Sequence, residues 1–364
     1  MVTEQSHNDA AVFPLLADPQ GYVACPWDLG HDAKRRDYWL GVFRRQWVSL
    51  LQHAKSEAED RGVDATQACE HANQLFGGYL NQVTRDPLAF GRLDVLSICK
   101  HREQALRAAG IADPYRLLKE SENERALALL PALIKELDRA SDTDRDRLII
   151  EGVFAGNIFD MGAEHTQKMF EEGSVDFGSV RAKLKPRPWK HDALDAWSAR
   201  LKEKPYQAAV LFVDNAGPDV VLGMIPLARY LLQQGTAVVL SANTEPSLND
   251  VTHNELAVLI DRITAFDPVI AKALQARQLR LVESGNWAPL MDLTMVSPQL
   301  AAACDELPID LVVLEGMGRS MESNPHCKLA CDCLRLAMVK DLGVAESFDA
   351  ELFDLVMRYE QADA

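Results

Sequence analysis

The chain has 364 residues, 48% of them hydrophobic and 25% charged, which is the make-up of a folded globular protein and excludes a disordered or fibrous one. A formal net charge of −16 with no offsetting basic patch speaks against a nucleic-acid partner. The N-terminus lacks the basic start and apolar core of a signal peptide, no run of about 18 apolar residues occurs, and seven cysteines in a long chain point to reduced thiols, so a cytoplasmic protein with no membrane partner is expected.

Residues 1–145 read as mainly helical. In "RRQWVSLLQHAKSEAEDRG" the residues Trp47, Leu50, Leu51 and Ala54 recur at helical spacing, and "NERALALLPALIKELDRA" does the same until Pro131, which is predicted to interrupt it. "LKPRPWK" (184–190) reads as a connector. From Ala208 the texture changes. "AAVLFVD" is a continuous apolar run, the pattern of a strand buried on both faces, and a helix follows near 219–234. "AVVLSAN" (237–243) precedes a helix opened by Asn249 and Asp250, "LRLVES" (279–284) is a weaker strand, and "DLVVLEG" (310–316) leads to a long helix around 325–341. This order predicts an α/β fold: a parallel-type sheet flanked by helices, Rossmann-like and three-layered, with an N-terminal helical domain. The expected division is a helical domain over 1–145, a helical linker over 146–200 and an α/β domain over 201–364.

Ligands of such sheets collect outside the carboxyl ends of the strands, and three of those ends are unusually polar. They carry Asp214-Asn215, then Asn243 leading to Asn249-Asp250, and Glu315 with Arg319 in "EGMGR". Asp214, Asn215 and Asp250 offer hard oxygen ligands suited to magnesium or manganese; equally, Asp250 could cap its helix and Asn215 make an Asx-turn. Arg319 could hold a phosphate or carboxylate bidentately, where Gly316 and Gly318 let a ligand approach the backbone, or form a structural salt bridge. "HCKLACDC" (326–333) fits no zinc pattern and reads as buried free thiols. No phosphate loop of the form G-x-x-x-x-G-K-[ST] and no G-x-S-x-G elbow occurs. "VDNAG" is only superficially like the first motif of haloacid-dehalogenase phosphatases, because Ala216 stands where their second aspartate belongs.

Taken together, "FVDNAGPDVVLGMIPLARYLLQQG", "SANTEPSLNDVT", "VVLEGMGR" and "GVFAGNIFDMG" (152–162) resemble the metal-dependent damage-control phosphatases, the domain of unknown function 89. The "EGMGR" stretch is similar to the subgroup that is free-standing in plants or fused to a pantothenate-kinase-like domain in animals. The similarity extends from about residue 98 to near the C-terminus. The resemblance implies a phosphomonoesterase holding a divalent ion (manganese, cobalt, nickel or magnesium) at Asp214, Asn215 and Asp250. It implies that Asp219, Asn243, Glu315 and Arg319 line the phosphate site of a small phosphorylated substrate, and that Asn157 and Asp160 in "GNIFD" form a further motif. Lys340 matches a familiar lysine. The family tends to place a basic residue before the cysteine matching Cys331; here that position is Ala330, with Lys328 two residues earlier. The substrate implied for the subgroup is 4′-phosphopantetheine or its oxidised forms, kept out of coenzyme A.

The mechanism expected from this is metal-assisted, in-line attack by water, with Asp214, Asp250 and Arg319 as the catalytic groups; the alternative is an aspartyl-phosphate on Asp214 or Asp250. Two rivals stand beside it: a carboxyl methyltransferase using S-adenosylmethionine, against which the missing G-x-G-x-G loop counts, and a non-catalytic, metal-dependent sensor. Residues 1–145 hold no nucleotide-binding motif, so a free-standing phosphatase is expected, with that helical part packed over one side of the strand ends.

Overall fold

The computed structural model describes residues 10–158 and 177–362. Five helices come first: α1 Ala33–Asp60, α2 Thr66–Arg85, α3 Val95–Ala108, α4 Arg116–Arg139 and α5 Asp142–Ile158. The start of α3 is set by a capping box in which Asp94 accepts from the Ser97 N–H and the Ser97 hydroxyl serves the Asp94 N–H. Contrary to the sequence expectation, α4 runs straight through Pro131. Proline costs a helix about 3 kcal/mol, but Leu127, Leu130, Leu133, Ile134 and Leu137 are all buried in one core with α5, and that packing outweighs the lost bond. The boundary expected after residue 145 falls inside α5.

Seven strands follow: β1 His191–Asp192, β2 Ala208–Phe212, β3 Ala237–Ala242, β4 Leu279–Glu283, β5 Ile309–Glu315, β6 Asp332–Met338 and β7 Leu355–Glu360. They form one sheet in the order β1-β7-β6-β5-β2-β3-β4. Strands β2 to β6 are mutually parallel, β7 is antiparallel to β6, and β1 pairs parallel with β7. Alternation along each strand feeds two cores. Ala209, Leu211 and Val213 point to the side of α4 and α5, whereas Ala208, Val210 and Phe212 point to the side of Phe13, Leu293 and Leu300. The sheet is therefore covered on both faces, the α/β layering expected. A third core joins α1 to α3 with Leu290, Met321, Val339 and Val344.

Two local expectations are corrected. The stretch predicted as a long helix around 325–341 contains strand β6, which pairs with β5 on one side and β7 on the other. A short run buried at every position has no amphipathic period to separate helix from strand, and the neighbouring strands decide it. Asn249 and Asp250 do not open the next helix either. It spans His253–Thr264 and is capped by Thr252, whose hydroxyl oxygen accepts from the Glu255 N–H while Glu255 accepts from the Thr252 N–H.

The chain steps from β2 to β3 to β4 in one direction and then returns so that β5 lies on the other flank of β2. This reversal opens a crevice beyond the carboxyl ends of β2 and β5, where open α/β sheets bind ligands. Among the described residues no helix is long and apolar enough to cross a membrane.

Candidate active site

Asp214 follows β2 and Glu315 closes β5, so the crevice has a carboxylate on each wall. The Asp214 N–H donates to Glu315 Oε2 at 3.1 Å. Beyond both strand ends the chain winds into a π-helical turn, Asp219–Met224 after β2 and Gly318–Ser323 after β5. Such turns are rare and concentrate at functional sites. The first carries Asp219, whose Oδ2 accepts from the Asn215 N–H at 3.1 Å and from Asn215 Nδ2 at 2.9 Å. Carboxylate oxygens of Asp214, Asp219 and Glu315 lie within 4.8 Å of one another, and all three residues are buried.

Asn157, near the end of α5, reaches into this group. Its Nδ2 donates to Asp219 Oδ2 at 3.1 Å and to Glu315 Oε1 at 2.9 Å. Ionised carboxylates only accept, so this orientation of the amide is the one the chemistry allows, and it leaves Asn157 Oδ1 buried with no donor among the described residues. Lys340 Nζ donates to the Asn157 carbonyl at 3.0 Å and brings a cation to the edge of the group. Two glycines permit these approaches. A Cβ on Gly156 would stand 2.8 Å from both the Asp219 Cα and the Pro218 carbonyl oxygen. One on Gly316, where φ is +93°, would stand 2.1 Å from Asp214 Oδ2.

The segment after β3 folds back across the strand ends. The Val251 N–H donates to the Asp214 carbonyl and the Ala216 N–H to the Asn249 carbonyl, both at 2.9 Å, which sets Asp250 beside Asn215. Asp250 Oδ2 accepts from Asn243 Nδ2 at 2.8 Å and from Arg319 Nη2 at 3.0 Å. Arg319 Nη2 also donates to Asn243 Oδ1 at 3.1 Å, and its Nη1 pairs with Asp214. Burial pushes the Arg319 guanidinium down to about 9, leaving it charged at neutral pH.

This donor set suits a divalent cation. Four buried carboxylates, those of Asp214, Asp219, Asp250 and Glu315, gather here beside Arg319 and Lys340. The oxygens are hard donors of the kind that magnesium and manganese take, and Asn157 Oδ1 adds a buried oxygen with no donor among the described residues.

Of the residues singled out in the sequence, Asn157, Asp214, Asn215, Asp219, Asn243, Asp250, Glu315 and Arg319 are all buried and linked in one cluster, with Lys340 at its edge. Asp160 lies outside the described residues. Within the cluster, Asp219 and Glu315, which the resemblance places at the phosphate, share ligand spacing with Asp214, while Asp250 is joined to Asp214 through Arg319. Lys328 is exposed, and all seven cysteines are buried and free. Sequence reading missed Asn123 on α4, whose Oδ1 accepts from the Gly217 N–H at 2.7 Å and braces the loop after β2 from the helical side. No motif marks it.

A doubly wound α/β sheet with a buried cluster of carboxylates at its switch point defines the class, an α/β protein of the kind whose ligands collect beyond the carboxyl ends of the strands, and comparison with known proteins makes the class specific. The family profile "Damage-control phosphatase ARMT1-like domain" matches residues 42–356, and the chain belongs to that family. It is 33% identical to a 4′-phosphopantetheine phosphatase of Mus musculus, over 95% of this chain and 48% of that protein. It is 37% identical to a pantothenate kinase 2 of Arabidopsis thaliana, over 96% of this chain and 42% of that one, so the chain spans about half or less of these relatives. A damage-control phosphatase of Arabidopsis thaliana is 34% identical over 99% of this chain and its own full length. The crystal structure of a DUF89 family protein of Pyrococcus horikoshii shares the fold, with a TM-score of 0.61 at 16% identity over 88% of this chain and 96% of that one.

Proposed function

We propose that the chain is a metal-dependent phosphomonoesterase acting on a small phosphometabolite, foremost 4′-phosphopantetheine or its oxidised forms. The observation that carries the reaction class is the buried Asp214, Asp219 and Glu315 group with Arg319 beside it; the substrate rests on the names of the relatives. The metal would be held by Asp214, Asp219 and Glu315, with Asn157 Oδ1 within the same group. Manganese, cobalt, nickel and magnesium are the ions to test. When bound, the ion would neutralise phosphoryl charge and acidify water.

The chain's own residues do the rest. Arg319 donates to the phosphoryl oxygens as charge shifts onto them, and Asn243 and Asp250 fix the plane of its guanidinium from behind. Lys340 supplies a second positive charge from the Asn157 side. Asn215 and Asn157 hold the carboxylates in place through their amides. Water adds to phosphorus, the ester P–O bond breaks, and the departing oxygen leaves as an alcohol after taking up a proton. Attack by Asp214 or Asp250 is the competing route; label from heavy-oxygen water appearing in a protein carboxylate during a single turnover would replace direct attack with it.

A second ligand set, Asp214, Asn215 and Asp250, is favoured by the backbone bridge that pairs Asn215 with Asp250. Metal affinity lost in Asp250→Asn but kept in Glu315→Gln would select it. The seven free thiols support a reducing, cytoplasmic setting. The decisive experiment is phosphate release from a panel of phosphomonoesters including 4′-phosphopantetheine, with each metal or chelator. Release that requires metal and disappears in Asp214→Ala is the expected result, whereas tight binding without release by folded, metal-loaded protein would make the chain a sensor.

A further inference from the structure

A cavity of about 390 Å³ opens beside the carboxyl ends of β3 and β4, lined by residues outside the carboxylate cluster. Its wall nevertheless touches the cluster's support. Thr244 directly follows Asn243, and the Ala288 carbonyl lies 3.5 Å from Asn243 Nδ2, the amide that orients Arg319. The same loop packs on the turn carrying Arg319, where a Cβ on Gly318 would stand 3.2 Å from the Pro289 carbonyl oxygen. The wall is braced: Arg107 pairs with Glu245 at 2.7 Å and donates to the carbonyls of Pro246 at 3.2 Å and Trp287 at 3.4 Å.

The lining is chemically specific. Trp287, Met295 and Val296 supply apolar surface. Asn286 is only 8% exposed; its Oδ1 accepts from the Asp292 N–H at 3.3 Å, but its Nδ2 has no partner among the described residues. A buried donor left unmade costs about 1–3 kcal/mol, so this nitrogen calls for an acceptor beyond the described residues. The volume falls in the range of about 300–1,000 Å³ typical of small-molecule sites, which combine apolar walls with a few placed polar groups.

We propose that this cavity receives the amide-bearing tail of the phosphorylated substrate, with Asn286 Nδ2 donating to an amide carbonyl and Trp287 and Met295 packing on the aliphatic arm. The proposal rests on the phosphomonoesterase reading above and adds a specificity subsite to it. A braced, preformed wall binds the tail without an ordering cost, so phosphate esters long enough to reach it are favoured over short ones.

The test uses two variants. Asn286→Asp keeps the acceptor for the Asp292 N–H and removes the free donor. Met295→Trp, at a position 39% exposed, fills the cavity from its rim without entering the core. Turnover of 4′-phosphopantetheine and of glycerol phosphate is compared, and binding of pantetheine, which has no phosphate, is followed by calorimetry. The expected result is a KM for 4′-phosphopantetheine raised about tenfold in each variant, glycerol phosphate unchanged, and pantetheine binding lost. Equal effects on both substrates, no effect on either, or undiminished pantetheine binding would overturn the subsite. If the wild type released phosphate from neither ester, the phosphatase reading would fail by itself, and the pantetheine titration would still decide for or against the cavity.

Discussion

The Asp214 N–H and the Glu315 carboxylate, 101 residues apart in the chain, meet at 3.1 Å across the crevice between β2 and β5. One oxygen of Glu315 is thereby held by backbone and the other by Asn157, so the side chain cannot rotate away from Asp214 and Asp219. Like charges are thus locked together in a buried site, an arrangement that gains stability when a cation is added.

Metal should therefore stabilise the fold. At a concentration 100-fold above its Kd, an ion bound only by the native state adds about 2.7 kcal/mol. Thermal unfolding with manganese and with chelator should differ by several degrees, and Glu315→Gln or Asp219→Asn should abolish the difference. A shift of full size in both variants would remove these residues from the ligand set.

Arg319→Lys should reduce kcat by about 10²–10³-fold, the usual effect of losing a preorganised donor at developing charge. A lysine cannot reproduce the planar fork that spans Asn243, Asp250 and Asp214. Steady-state kinetics on a folded variant checks this; near-wild-type kcat would make the ion pairs of Arg319 structural only.

Gly316→Ala should damage both stability and activity. Its φ of +93° disfavours any side chain, and a methyl group would collide with the Asp214 carboxylate. We expect a loss of about 1–3 kcal/mol in denaturant unfolding, together with weakened metal binding. An alanine variant as stable and as metal-responsive as wild type would contradict the close approach.

Glu322, buried in the second π-helical turn, gives a pH signature. Burial first, and the neighbouring Asp341 next, push its carboxyl from about 4.5 to about 8, against the opposing pull of Lys340; Cys25 and Cys99 also face it. A carboxyl that holds its proton more tightly when folded contributes stability that is complete below about 4.5 and lost as pH rises through about 8. Denaturant unfolding should show stability falling across this window by an amount on the order of a few kcal/mol, and Glu322→Gln should flatten it. An unchanged slope in that variant would assign the dependence to another group.

The parallel strands β2, β3 and β5 were legible because each is a short, mostly apolar run that ends on a polar side chain, and the strand ends led directly to Asp214, Asn243 and Glu315. Strand β6 was not legible, because a wholly buried run carries no periodicity of its own and its pairing partners are remote in sequence. Pro131 misled for a related reason: local propensity argues for a break, and packing against α5 overrules it.

By itself the sequence determined which polar residues stand at the strand ends, since oxygen donors and a guanidinium there follow from residue type and strand order. Only the tertiary structure decided how they divide. Asp219 enters the carboxylate group because a π-helical turn aims it there, and Asn157 joins because α5 packs against that turn at Gly156. Asp250 stands behind Arg319 because the segment after β3 bonds to the Asp214 and Ala216 backbone. Each of these depends on distances between segments tens to hundreds of residues apart, which close only when the two faces of the sheet are packed.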